Sequence, residues 1–94
     1  MGIHFDPVKA ASNLQKHGVH FAEAEMVLQD QMALTIEDPD TAGEQRWITM
    51  GTDSMGRILL VVYAYRSDQI RVISVRKAGR QEREKYHAQI LWLQ

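Results

Sequence analysis

The chain has 94 residues, 45% of them hydrophobic, which is enough for one small core and too much for global disorder. It has no cysteine, so disulfides and thiolate chemistry are excluded and a reducing, cytoplasmic setting is expected. The net charge of −1 predicts no bulk attraction to nucleic acid, yet residues 1–56 carry three cations against nine anions and residues 57–94 carry eight cations against three anions.

Seven of the eleven basic residues are arginines, whose planar fork suits phosphate and carboxylate. The basic half either meets an anionic partner or is a solvated face balanced by the acidic half. Residues 1–20 hold no basic start followed by an apolar run, so no leader is expected. The apolar stretch 58–64 is too short to cross a bilayer as a helix, and no membrane association is expected.

In chain order, Ile3-His4-Phe5 reads as a short strand or an extended lead-in. Asp6-Pro7 opens a helix, since Asp accepts from free N–H groups and Pro suits the first helical position. Val8, Ala11 and Leu14 have helical spacing, and Gly18 stops the helix with Lys16 and His17 at its negative end. A second helix is expected over 21–29, with Phe21, Ala24 and Leu28 on one face. Strands follow at 33–36, 45–51, 57–65 and 70–76. They are separated by the breaker-rich turn 37–43, the turn 52–56 and a tight hairpin at 66–69. The segment 57–65 is the most apolar and reads as a central strand buried on both faces. Gly79 precedes a last helix over 80–93, with Tyr86, Ile90 and Leu93 as its apolar stripe. Short turns imply a four-stranded, largely antiparallel sheet with helices over one face, an α+β domain spanning 1–94.

Three segments together resemble the BrnT toxin family. Phe5-Asp6-Pro7-Val8-Lys9, running on to Asn13-Leu14-Gln15-Lys16-His17-Gly18-Val19, is similar to the family's opening of an aromatic, Asp and Lys leading to Asn-x-x-Lys-His-Gly-Val. Glu44-Gln45-Arg46 followed by Gly51 resembles its Glu-x-Arg strand. Residues 70–78, with Glu82 and Tyr86 downstream, resemble its Arg-x-Ile-Ser-Ala-Arg-x-Ala block. The chain departs from the pattern at Val75, where Ala is usual, at His20, where a Ser commonly caps the second helix, and near His4-Phe5, where Trp or another aromatic is usual. The resemblance implies a RelE-like fold, a ribonuclease that arrests translation, and a cognate BrnA-like antitoxin. It also implies a complex of the two that represses its own promoter, so that DNA is contacted only through the antitoxin.

RNA can be cleaved by its own 2′-hydroxyl, given a base, cations for the charge that builds on phosphorus, and an acid for the departing 5′-oxygen. Arg76 is the principal candidate for the scissile phosphate because Lys77 and Arg80 follow closely; the alternative is a rim salt bridge to Glu82 or Glu44. Arg71, Lys77, Arg80 and Arg83 are candidates for binding RNA. Arg71 and Arg76 have opposite parity on a regular strand, so one site takes both only if a bulge or strand end intervenes. Glu44 and Arg46 lie two apart and face one side, where Glu44 either orients Arg46, acts as the base, or forms a plain surface ion pair. Lys16 and His17 are further catalytic candidates, His17 because imidazole titrates near neutrality; its other reading is a helix cap. Tyr86 either donates a proton or stacks on a base, or packs in the core, and Trp47 has the same two readings.

His4, His17, His20 and His87 show no ligand spacing that argues for a metal, and no cofactor fingerprint is present. Ile90-Leu91-Trp92-Leu93 is apolar nearly all round, which suits an antitoxin groove, a homodimer contact or simple core packing. A non-catalytic binding module of the same fold, acting as a co-repressor, is the competing function.

Overall fold

The computed structural model describes residues 2–40 and 42–92, with side chains as far as Gln89. Its elements are β1 (Gly2–His4), α1 (Pro7–His17), a 3₁₀ turn (Phe21–Glu23) leading into α2 (Ala24–Gln29), β2 (Leu34–Glu37), β3 (Trp47–Thr52), β4 (Ile58–Arg66), β5 (Gln69–Lys77) and α3 (Arg80–Trp92). No helix among the described residues is long and apolar enough to cross a membrane.

The sheet has five strands in the order β1-β5-β4-β3-β2, one more than expected. Pairing is antiparallel from β2 through β5, and β1 joins β5 in parallel with Ile3 opposite Ile70. Three residues are too few to carry a period, so this strand is defined by its partner rather than by its own pattern. The sheet is therefore mixed.

The helices also differ from the expected layout, because they cover both faces. β4 is apolar on each side, so each side needs a cover. Leu59, Val61 and Tyr63 point into a core with Phe21, Ala24 and Val27 from the 3₁₀ turn and α2. Ile58 and Leu60 point the other way, into a second core with Met50, Ala78 and Tyr86. Gly51 on β3 lets α2 lie close, since a Cβ there would sit 2.9 Å from the Val27 carbonyl oxygen.

α1 begins and ends as its sequence predicts. The Asp6 side chain accepts from the Val8 N–H at 2.9 Å, and Gly18 closes the helix at φ 70° with its N–H on the Leu14 carbonyl. Its apolar spacing misleads, however: Val8 is 77% exposed and Leu14 is 37% exposed. The buried residue is Asn13. α1 lies against β5 beyond the reach of β1, where free strand backbone needs a hydrogen-bonding partner rather than an apolar one. Asn13 supplies it, accepting from the Val75 N–H and donating to the carbonyls of Val75 and Val19.

Candidate active site

A β-bulge decides which side chains share a face. Val62 of β4 stands opposite Ser74, but the next residue, Tyr63, stands opposite Val72, leaving Ile73 as the extra residue of β5. The extra residue reverses the alternation. Arg71 pairs with Ala64 and Arg76 with Leu60, both even-numbered positions of β4, so Arg71, Ser74 and Arg76 lie on one face of the sheet. It is the face that α3 covers only in part. Lys77 pairs with Leu59 and falls on the opposite face.

Arg76 meets Glu82 through a two-pronged pair, at 3.0 and 2.9 Å. Glu82 also accepts from the Gly79 N–H at 2.7 Å, capping the start of α3. The Arg76 hydrogen bonds hold the Glu82 carboxyl below its ordinary range, against a smaller opposing effect of burial, and Glu82 in turn raises the arginine.

At the other end of the same face, Glu44 bridges Arg66 at 3.2 Å and Arg71 at 2.6 Å. These two guanidinium groups keep Glu44 ionised below the usual carboxylate range. The pairing of Glu44 with Arg46 suggested by their spacing is replaced by pairing across the sheet. Arg46 comes two residues before Ile48, and the backbone pairing of β3 continues through its carbonyl, which accepts from the Asp38 N–H. Alternation then puts Arg46 on the arginine face. Both Arg46 Nε and Arg71 Nε are buried with no hydrogen-bond partner, leaving an unused donor on each. Arg66 was hidden in the sequence by its place at the hairpin; only strand register reveals that it shares a carboxylate with Arg71.

Lys16 and His17 lie at the C-terminal end of α1. They line a shallow groove of about 200 Å³ with Ile73 and Ser74. Ser74 therefore belongs both to this groove and to the row between Arg71 and Arg76, and the bulge links the two regions.

The remaining expected site residues lie elsewhere. Arg80 is an exposed partner of Glu84, and Arg83 donates to the Ala78 carbonyl. Trp47 packs against the α2-side core. Tyr86 is 3% exposed, and its hydroxyl donates to Asp30 at 2.5 Å. Asp30 also accepts from Met32 and twice from Thr52. Burial opposes the charge on Asp30, but these hydrogen bonds outweigh it and hold its carboxyl below the ordinary aspartate range. Burial and Asp30 together raise the Tyr86 phenol. Tyr86 is thus the point where α2, β3 and α3 are joined. Ile90, Leu91 and Trp92 have no described side chains, and Leu93 lies outside the described residues. Among the described residues no three His, Cys, Asp or Glu side chains gather as a metal-ligand cluster.

The family model of the ribonuclease toxin, BrnT, of type II toxin–antitoxin systems matches residues 5–82, a span that takes in both carboxylate–arginine clusters. Among solved structures, the 1.1 Å crystal structure of the Brucella abortus ribonuclease toxin BrnT is similar, with TM-score 0.63 and 29% sequence identity. The match covers 85% of this chain and 99% of that one. No curated protein matches the sequence.

Proposed function

The chain belongs to the BrnT family of ribonuclease toxins of type II toxin–antitoxin systems, and from that premise we propose that it cleaves RNA without a metal ion, on the arginine face of its sheet. The observation that carries this reading is the bulge at Ile73, which turns Arg71 and Arg76 toward the same side. Arginine keeps its charge at any working pH and offers several fixed donors, as stabilising a pentacoordinate phosphorus requires.

In the proposed reaction, the 2′-oxygen attacks the adjacent phosphorus and gives its proton to a base. The bond from phosphorus to the 5′-oxygen breaks, and an acid protonates that oxygen. The products are a 2′,3′-cyclic phosphate and a 5′-hydroxyl. Arg76 takes the scissile phosphate, which displaces Glu82 from the guanidinium. Arg71 and Arg46 hold a flanking phosphate through their terminal guanidinium nitrogens, with Arg80 and Arg83 as outer contacts; Lys77, on the opposite face, would meet only RNA that passes round the end of β5. Glu44, kept ionised by Arg66 and Arg71, orients Arg71 rather than serving as the base. His17, beside Lys16 and next to Ser74, is the proposed proton carrier. Tyr86 keeps to its structural role.

We read the whole chain as one RelE-like domain that arrests translation in the cytoplasm until a BrnA-like antitoxin binds it. Ile90, Leu91, Trp92 and Leu93 are the proposed antitoxin contact, or a homodimer contact, and promoter DNA is met only through the antitoxin. One observation favours a second reading, a non-catalytic module of the same fold: Arg71 and Arg76 each already hold a carboxylate.

Labelled RNA incubated with antitoxin-free protein in EDTA separates the two. Cleavage that Arg76→Ala abolishes in a folded variant supports the enzyme. Intact RNA, with or without ribosomes, favours the binding module.

A further inference from the structure

The face of the sheet covered by α2, opposite the arginines, holds a cavity of about 440 Å³ that the ribonuclease reading does not use. Thr49, Tyr63, Tyr65 and Ile70 form its floor, and Glu25 and Gln29 of α2 stand at its rim. Among the described residues its lining includes the carboxylates Glu25 and Asp30 and no Lys, Arg or His. Asp30 is occupied by Tyr86, Thr52 and Met32. Glu25 has no ion-pair or hydrogen-bond partner among the described residues.

Three hydroxyls run in a chain through this floor. Tyr63 meets Thr49 at 2.8 Å, and Thr49 meets Thr35 at 2.8 Å. Each hydroxyl has one proton and can rotate, so the chain can present an acceptor oxygen to a guest at either end. Tyr65 stands edge-on to Tyr63 with ring centroids 5.8 Å apart. It is 52% exposed, which leaves ring surface free.

A phosphate is repelled here, because the lining has acids and no base. A planar cation fits each element: it pairs with Glu25, stacks on Tyr65, and donates to the hydroxyl chain and the Gln29 carbonyl. We infer that this cavity receives an arginine side chain from a basic segment of a protein partner. The inference stands on the cavity alone and does not depend on the ribonuclease reading.

The test is a titration of ¹⁵N-labelled protein with N-acetyl-arginine amide, beside its uncharged counterpart N-acetyl-citrulline amide and uridine monophosphate. Saturable shifts at Leu28, Gln29, Thr35, Thr49 and Tyr65 are expected with the arginine compound alone. Glu25→Gln and Tyr65→Leu, both at exposed positions, should each weaken it roughly threefold to tenfold. Shifts confined to the acidic stretch 37–44, affinity unchanged in both variants, or equal binding of citrulline would overturn the inference. Saturation of the cavity by uridine monophosphate would overturn it too, making this a nucleotide subsite.

Discussion

Asn13 of α1 completes the hydrogen bonding of Val75 on β5, accepting from its N–H at 3.1 Å and donating to its carbonyl at 2.8 Å. One carboxamide thus stands where a neighbouring strand would pair. Asn13→Ala leaves both backbone groups of Val75 and the Val19 carbonyl without their partner in a buried place. It should lower unfolding free energy by about 2–4 kcal/mol, read from urea denaturation. Asn13→Asp should cost at least as much at neutral pH, because a carboxylate would face two carbonyls. That variant should recover part of the loss in acid, where its added carboxyl is neutral.

The bulge at Ile73 gives a second prediction. Deleting Ile73 removes the bulge and leaves Arg71 and Arg76 four apart on a regular strand, still on one face. The deletion variant, if it still unfolds cooperatively, should keep RNA cleavage within about tenfold of the parent, whereas Arg71→Ala, which removes one donor, should lower it by about 10²-fold. Ile73→Ala keeps the residue count and should retain most of the activity. Loss of cleavage in the folded deletion variant, whose arginines still share a face, would separate the chemistry from the shared face.

Arg76→Lys tests the shape of the cation as well as its charge. Lysine cannot make the two-pronged contact, so cleavage should fall at least about tenfold with little change in stability. The lost pair with Glu82 is half exposed, and such pairs are worth about 0–1 kcal/mol.

Asp30 predicts an acid limb of stability. Its folded carboxyl ionises below the ordinary aspartate range, so its contribution is complete above the unfolded value and drains away as pH falls through the folded one. Unfolding free energy measured between about pH 3 and pH 7 should therefore drop in the acid range. Asp30→Asn should cost about 1–3 kcal/mol near neutrality and flatten the curve below about pH 4.

Gly51→Ala should destabilise by about 1–3 kcal/mol, because the new methyl meets the Val27 carbonyl backbone rather than a side chain that can turn aside. The urea midpoint reads this directly. Activity per folded molecule should stay near that of the parent, since Gly51 lies in register with Leu59, on the face opposite the arginines.

Local chemistry was legible wherever a residue acts on its own backbone neighbours. Asp6, Pro7 and Gly18 set the limits of α1, and alternation placed β2 to β5 within two residues. What sequence could not show is what depends on partners. Ile3-His4 was readable as a short strand, but its parallel place beside β5 was not. Asn13 looks like an ordinary helix residue until Val75 lies beside it, and the apolar spacing of Val8 and Leu14 draws attention to the wrong face. The bulge at Ile73 has no marker of its own, yet it alone brings Arg71 and Arg76 together, and it pairs Glu44 with Arg66 and Arg71 instead of its close neighbour Arg46. Tyr86 was readable as a core residue from its place in the stripe of α3; its hydroxyl on Asp30 required the fold.

The seal that Asn13 puts on β5 bears on self-association. β1 guards the beginning of that strand and Asn13 guards Val75, so little unpaired backbone is left on this side for a strand of another molecule to invade. The opposite margin, β2, has no strand beyond it among the described residues and carries Ile36 at 60% exposure. If the sheet is ever extended into a fibre, growth would begin at β2, where the charge of Glu37 is the residue positioned to discourage it.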